Sequence, residues 1–497
     1  MGIKVMVTEV KNITVNIITE EVWNTILSHL KQKFSVVIHG KYQDLHWEYL
    51  RNDISFLPSL DITLCAARNI VLAEGMQFNI PANSRIFLRA GESDSSGHVV
   101  LPNESCPFIS VVAKKTDNPP IINIYSGFKR PEDCSREYYE SIFKGSNCEI
   151  ACFSFLRAPE ELIAVGNSQA SMSDNYFLLN DIDCSGIQWD PIGAYQWPTI
   201  PFSGVFDGNN HVIHGVHIYN QYDQAGLAFL SEAEDATIKN LILKIKHDVG
   251  KEVSVSGLVG TAKKTKISDV IVYGEIKAGA SSSISGIVAA IEDSSLERVG
   301  FVGKLSSTEA NVEIGGIVGI SRGSLLKEIF FDGTITAGER ALVGGICLEC
   351  TNSEVNHAMV LGREVCCGLG QRRDPIIDRS ICAGMVVYAE DAKFSYCAMQ
   401  LDLNIHGTLG YVSGFCGIGV GVDFQHGYSN TILNSNTKLP PEVRIVGGVA
   451  NCFSTTKHFR IHDYYYNESL GALISSQELS GFSQPDVHIL TRRGFID

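Results

Sequence analysis

The sequence is short of positive charge. Its 497 residues carry 40 Lys and Arg against 55 Asp and Glu, a formal net charge of −15. Such a chain lacks the electrostatic footprint that phosphate backbones require, so nucleic acid is excluded as a general partner. The basic clusters Lys263-Lys264-Thr265-Lys266 and Arg372-Arg373 are short and read as solvated faces. Long apolar runs are missing too. No segment approaches the roughly eighteen apolar residues of a membrane-spanning helix. The opening MGIKVMVTEVKN has no apolar stretch of secretory-leader length. Met6 stands where a myristoylation signal carries Ser or Thr. The expectation is no membrane insertion, and a chain that is cytoplasmic or exported by a signal-independent route, injection into a host cell included. No HExxH motif is present, which leaves the zinc-protease arrangement without its ligands. No 3.6-residue periodicity persists along the chain, which argues against a helical repeat.

Hydrophobic residues, at 44%, and 46 glycines are plentiful. The glycines keep a rhythm. Gly226-Leu227-Ala228 is followed by Gly257-Leu258-Val259-Gly260, Gly286-Ile287-Val288, Gly316-Ile317-Val318-Gly319 and Gly345-Ile346-Cys347. Weaker copies open at Gly384, Gly414 and Gly448, and the steps are 31, 29, 30, 29, 39, 30 and 34 residues. Ten residues after the glycine stands an apolar strand opener in six coils: Ile267, Leu296, Leu326, Val355, Phe394 and Phe424. In the first coil the offset is twelve, at Ile238. Alternation follows, as in Val270, Val272, Gly274 and Ile276. A period of two means strand. One such strand cannot bury its apolar face alone, but a stack of copies ~4.8 Å apart hides every inward ladder. The fold expected is all-β: a right-handed parallel β-helix, a solenoid of about thirty residues per coil.

The glycine motifs resemble the GLUG repeats of bacterial surface and secreted proteins. Gly257-Leu258-Val259-Gly260 matches outright and Gly316-Ile317-Val318-Gly319 nearly so. The lead-in Tyr176–Asp183, Trp189–Gly193 and Pro201–Ile213 looks like the opening of such a domain, and Tyr465–Gly471 with Ser476–Leu479 like its close. The resemblance covers about 153–484. It implies the β-helical fold and an adhesin-like setting, and it says little about activity.

Ahead of it, Thr19 to Phe34 reads as an amphipathic helix. Thr19 is the N-cap, Glu20 and Glu21 fill the first turn, and Val22, Trp23, Ile26, Leu27 and Leu30 form the apolar side. Strand-like runs at 34–39, 62–65 and 86–88 follow at intervals of about 25 residues. The expected organisation is an N-terminal capping helix with an irregular β-helical stack over 1–114. An insertion with a short helix from Pro131 to Phe143 covers 115–152, the repeat domain 153–484, and a tail 485–497. A separate small α/β domain is the alternative for the first third.

Candidate site residues follow from breaks in the rhythm. The 39-residue step places its extra residues after Val355, in a loop where Arg372, Arg373 and Arg379 could hold a carbohydrate or an acidic partner. Trp189, Tyr195 and Trp197 cluster in another loop and could stack on sugars or pack against a protein. Asp181, Asp183, Asp190 and Asp207 are the carboxylates a polysaccharide-cleaving β-helix would need, but Asp-Ile-Asp and Phe-Asp-Gly-Asn also read as turns bonding their own backbone. The fourteen cysteines read as buried free thiols. Cys347 and Cys350 have zinc-like spacing, but Cys366 and Cys367 are adjacent and point to opposite strand faces, so no metal is expected. No cofactor is expected. The leading functional expectation is a non-catalytic recognition or scaffold protein, adhesin-like or a signal-less exported effector, that binds a protein or glycan along the solenoid face. The alternatives are a polysaccharide lyase or hydrolase, and a self-assembling fibre or tail component. A carboxylate ladder on one solvent face favours the enzyme; an exposed apolar stripe favours a partner or a homo-oligomer.

Overall fold

A computed structural model of the chain describes residues 10–32, 34–41, 43–48, 60–73, 84–100, 119–129, 139, 149–194, 199–219, 226–368, 380–406, 410–435, 445–446, 450–451, 460–466 and 487–489. The side chains described end at 362 and resume over 381–401 and 414–428. The chain divides into two compact units, Met1–Arg157 with Asp174–Asn180, and Ala158–Ser173 with Asp181–Asp497. Among the described residues strands dominate both units and every strand pairing is parallel, and the fold is a β-solenoid.

In the first unit, Val10–Val15 pairs with Ser35–Gly40, which pairs with Asp61–Cys65, then Arg85–Arg89, Ile121–Gly127 and Glu149–Leu156. A second sheet stacks Ile17–Ile18, Leu45–Trp47, Ile70–Leu72 and Val99–Val100. Residues 121–127 and 149–156 add two strands to this stack. Of the helix expected from Pro131, only Tyr139 is described; it is helical and its hydroxyl donates to the Val99 carbonyl at 3.0 Å. Helix α1, Glu20–Lys31, buries Trp23, Ile26, Leu27 and Leu30 in the core of this unit, with Trp23 against Trp47 at 5.6 Å between ring centroids. Thr19 holds the extended N-cap conformation, though its hydroxyl makes no cap hydrogen bond.

The second unit holds the repeat, and its logic is visible in one coil. Ser254–Ser256 enters a corner at Gly257-Leu258, Val259–Lys263 forms the next side, and Lys266–Lys277 the long side. Each side pairs with its copy in the following coil. The long-side partners step by 29, 29, 30, 29, 39 and 30 residues from Thr237 to Asp423. Ile238, Ile267, Leu296, Leu326, Val355, Phe394 and Phe424 form one inward column, all buried. Leu258, Ile287, Ile317, Ile346 and Met385 form another. Their N–H groups donate in turn to the carbonyls of Ile287, Ile317, Ile346, Met385 and Phe415 at 2.8–3.1 Å. Burying each such side chain is worth about 1.5–3 kcal/mol.

The opening glycines are required by contact. A Cβ on Gly286 would lie 2.1 Å from the Gly316 carbonyl oxygen, and one on Gly316 would lie 1.9 Å from that of Gly345. Two corners are turned instead by single residues in the left-handed region. One column comprises Asp235, Lys264, Asp293, Gly323, Asn352 and Asp391; the other comprises Asn240, Asp269, Arg298, Glu328, His357, Tyr396 and His426. For Lys, Arg, Glu or Tyr this conformation costs roughly 1–2 kcal/mol, which the paired ladders on either side offset.

Candidate functional site

The side chains of the second left-handed column are exposed from Asp269 to His426 and form a ridge. The ridge begins with charge. The Arg298 guanidinium is bidentate on Asp269 at 2.6 and 2.8 Å, and its third nitrogen reaches Glu297 at 2.6 Å. Lys327 adds a bond to Glu297 at 3.0 Å and lies 3.7 Å from Glu328. The Arg298 hydrogen bonds hold the Asp269 carboxyl below its ordinary range, and Lys327 with Arg298 does the same for Glu297. These charges are engaged with each other. Further along, the ridge turns aromatic. His357 stacks on Tyr396 at 4.8 Å and Tyr396 on His426 at 4.7 Å, the planes within 18°. Both faces of the Tyr396 ring are covered in this stack, which leaves ring edges and the two end faces for any sugar to meet.

Beside the ridge lies the outer face of the long sheet. Alternation points Val270 and Val272 inward, so Ile271, Tyr273 and Glu275 face out. Register then builds three outward columns. The first runs Val212, Ile242, Ile271, Gly300, Phe330, Met359 and Ala398. The second runs Lys244, Tyr273, Val302, Asp332, Leu361 and Gln400, and the third Lys246, Glu275, Lys304 and Thr334. The first column is apolar throughout. Met359 is 42% exposed and Tyr273 38%. The Phe330 ring lies on Gly300, where a Cβ would meet ring carbons at 2.2 Å. This apolar stripe runs over seven coils on the outside of the solenoid, and large outward apolar groups cost solubility and persist where something covers them.

A second surface feature is a groove of about 520 Å3 along the other bend, lined in part by Lys264, Asp293, Leu325, Glu354, Asp391 and Lys393. Its floor is a hydroxyl ladder. The Oγ of Ser294, Ser324 and Ser353 accept from the N–H of Thr265, Ser294 and Ser324 at 3.0–3.1 Å, and each donates to the carbonyl two residues back. The hydroxyls are thus committed to the backbone.

The residues nominated from the sequence fare differently. Trp189 is corrected: it is 1% exposed, stacks on Phe229 at 5.2 Å, and its Nε1 donates to the Phe229 carbonyl at 3.1 Å. It is a core residue, because a buried indole N–H with a backbone acceptor has both its needs met inside. Tyr195 and Trp197 lie outside the described residues, as do Arg372, Arg373 and Arg379. Asp181 accepts from the Val212 N–H at 2.9 Å and pairs with His211 at 3.0 Å; Asp183 accepts from the Ser185 N–H at 2.8 Å. These bonds lower both carboxyls from their ordinary values. Asp207 accepts from the Asn209 N–H and the Asn240 amide at 2.9 and 3.0 Å. A general acid needs a raised pKa, which Asp181 and Asp183 lack; Asp183 and Asp207 serve local turns, and Asp181 ties one coil to the next. Cys347 and Cys350 both point into the core, where their mutual contact and burial push the Cys347 thiol up. Among the described residues no group of three or more His, Cys, Asp and Glu is placed to share a metal ion, and no helix is long and apolar enough to cross a membrane.

No protein-family model and no curated protein matches this chain. Among solved structures it is similar to an IgA1 protease, 14% identical with a TM-score of 0.35 over 63% of this chain. The match spans 21% of that protein's length, and at that score it carries no argument about activity.

Proposed function

We propose that this chain is a non-catalytic recognition or scaffold protein whose solenoid flank holds a protein surface. The observation that carries the reading is the apolar stripe through Ile242, Ile271, Phe330 and Met359 on an outer face whose neighbouring columns carry Lys244, Lys246, Glu275, Lys304 and Asp332. Aliphatic and aromatic groups in one row, half-buried at Ile242, Ile271 and Phe330 and exposed at Met359, suit a protein partner. They suit a glycan less well, since His357 and His426 cover both faces of the nearby Tyr396 ring. An adhesin-like setting, as the GLUG resemblance implies, is consistent with a partner of this kind. The test is binding of the full chain to protein and glycan arrays, with Phe330→Lys and Met359→Lys alongside. The reading expects a protein ligand that both substitutions lose and glycans that are neither retained nor shortened. Depolymerisation of a polysaccharide, or protein binding indifferent to both substitutions, contradicts it.

A further inference from the structure

We infer that the protein surface held by this flank is a second copy of the same chain, laid antiparallel and face to face; the inference rests on the reading of the stripe given above. Two sheets that face each other about a two-fold axis along the strand direction keep their columns aligned and reverse the order of their coils. With the axis between the coils of Ile271 and Gly300, each outward residue meets a defined partner. Lys244 meets Asp332 of the other copy, and Glu275 meets its Lys304. Tyr273 meets Val302, Ile242 meets Phe330, and Val212 meets Met359. Opposite charges meet at Lys244 with Asp332 and at Glu275 with Lys304, Lys246 faces the neutral Thr334, and apolar groups fall on apolar groups.

The half-step neighbours of this register are disfavoured. Moving the axis one half-step onto the coil of Ile271 sets Lys246 against Lys304 of the second copy, and moving it onto the coil of Gly300 sets Lys304 against itself. A parallel arrangement sets the apolar column against the charged one. Like charges face to face disfavour these alternatives. The four charges involved are also uncommitted. The side chains of Lys244, Glu275, Lys304 and Asp332 belong to no hydrogen bond or ion pair among the described residues, while the ridge charges at Asp269, Glu297, Arg298 and Lys327 are engaged with one another. A two-fold contact of this kind is self-complementary by construction. Five coil spacings of ~4.8 Å by four residues of ~3.3 Å give a face of about 24 by 13 Å. That is small for a permanent dimer and fits a reversible one.

The experiment is sedimentation velocity of the full chain over a wide concentration range, with near-ultraviolet circular dichroism checking each variant's fold. Wild type is expected to show a reversible monomer–dimer equilibrium. Lys304→Glu and Glu275→Lys, each placing like charges together, are each expected to weaken it tenfold or more. The Glu275→Lys/Lys304→Glu exchange is expected to restore it to within about threefold. Lys244→Asp with Asp332→Lys provides a second, independent exchange. A wild type that stays monomeric throughout, a dimer indifferent to the single reversals, or exchanged pairs that fail to recover overturns the inference. If the wild type is monomeric while Phe330→Lys still abolishes binding to a foreign protein, the second copy is refuted and the recognition reading stands. If Phe330→Lys changes neither, both fall.

Discussion

The hydroxyl of Ser324 accepts a hydrogen bond from the backbone N–H of Ser294, one coil away, at 3.0 Å. It returns its own proton to the Arg322 carbonyl at 2.8 Å. Ser294 does the same for Thr265, and Ser353 for Ser324. The bend between two sheets leaves backbone groups without a ladder partner, and these side chains replace it. Ser324→Ala would leave the buried Ser294 N–H without its acceptor and is expected to cost about 1–3 kcal/mol, read as a lower urea midpoint. Ala392 occupies the next position of the column. Ala392→Ser is expected to extend the ladder and gain about 0.5–1.5 kcal/mol.

Acid stability is expected to depend on His247. It is 1% exposed in a column with Ile218, Ile276 and Leu305, and its Nδ1 accepts from the Ile218 N–H at 3.3 Å. Desolvation drives its pKa down from 6.5 to about 3. A histidine depressed in the folded state is neutral in both states above about pH 6.5. Below that the unfolded chain takes up a proton that the folded chain refuses, and stability falls by about 1.4 kcal/mol per pH unit until about pH 3. At pH 5 the loss is roughly 2 kcal/mol. His247→Ile is expected to remove that part of the slope between pH 6.5 and 3, measured by urea unfolding at stepped pH. An unchanged slope contradicts the assignment.

Glycine substitutions separate contact from conformation. Gly286→Ala drives a Cβ to 2.1 Å from the Gly316 carbonyl and 2.7 Å from the Phe301 ring, and is expected to cost 3 kcal/mol or more, about the upper range for overpacking. Gly186 has φ of +83°, and no atom stands within 4 Å of the place a Cβ would take. Gly186→Ala is therefore expected to cost about 1–2 kcal/mol from the left-handed backbone alone. Equal costs at the two positions would sink the close-approach explanation of the repeat glycines.

The thiols are expected to be silent in the folded protein. Burial pushes Cys65, Cys184 and Cys397 to about 12, so thiolate is scarce at neutral pH. Alkylation followed by peptide mass spectrometry is expected to label these three only after denaturation. Prompt labelling of the native protein would contradict their burial.

Much of this architecture is legible in the sequence. The Gly-Leu and Gly-Ile motifs give the period, and the ten-residue offset to Ile267, Leu296 and Leu326 places a real column. Both signals survive because inward positions and close backbone approaches tolerate few residue types. The left-handed bends at Arg298, Glu328 and Tyr396 are not legible, since those residues favour no turn and are held by ladders on both sides. Nor is the outer stripe. In Val270-Ile271-Val272-Tyr273 every residue is apolar, so the alternation that marks Val270 and Val272 as inward does not show that the outward side is apolar over successive coils, which the register with Gly300 and Val302 does. Trp189 misleads for a related reason: a loop position in sequence says nothing of whether an indole finds an acceptor inside, as it does at Phe229.

The account rests on coils stacking at a fixed spacing with residues in column. Lys244 and Gln400 stand five coils apart in one outward column. Spin labels at these two positions, diluted with unlabelled protein, measure that stack directly by pulsed dipolar spectroscopy. Five spacings of ~4.8 Å predict a narrow distribution centred at about 24 Å, widened by the label linkers. A distribution centred beyond about 35 Å, or one without a maximum, would contradict the solenoid and everything built on its columns.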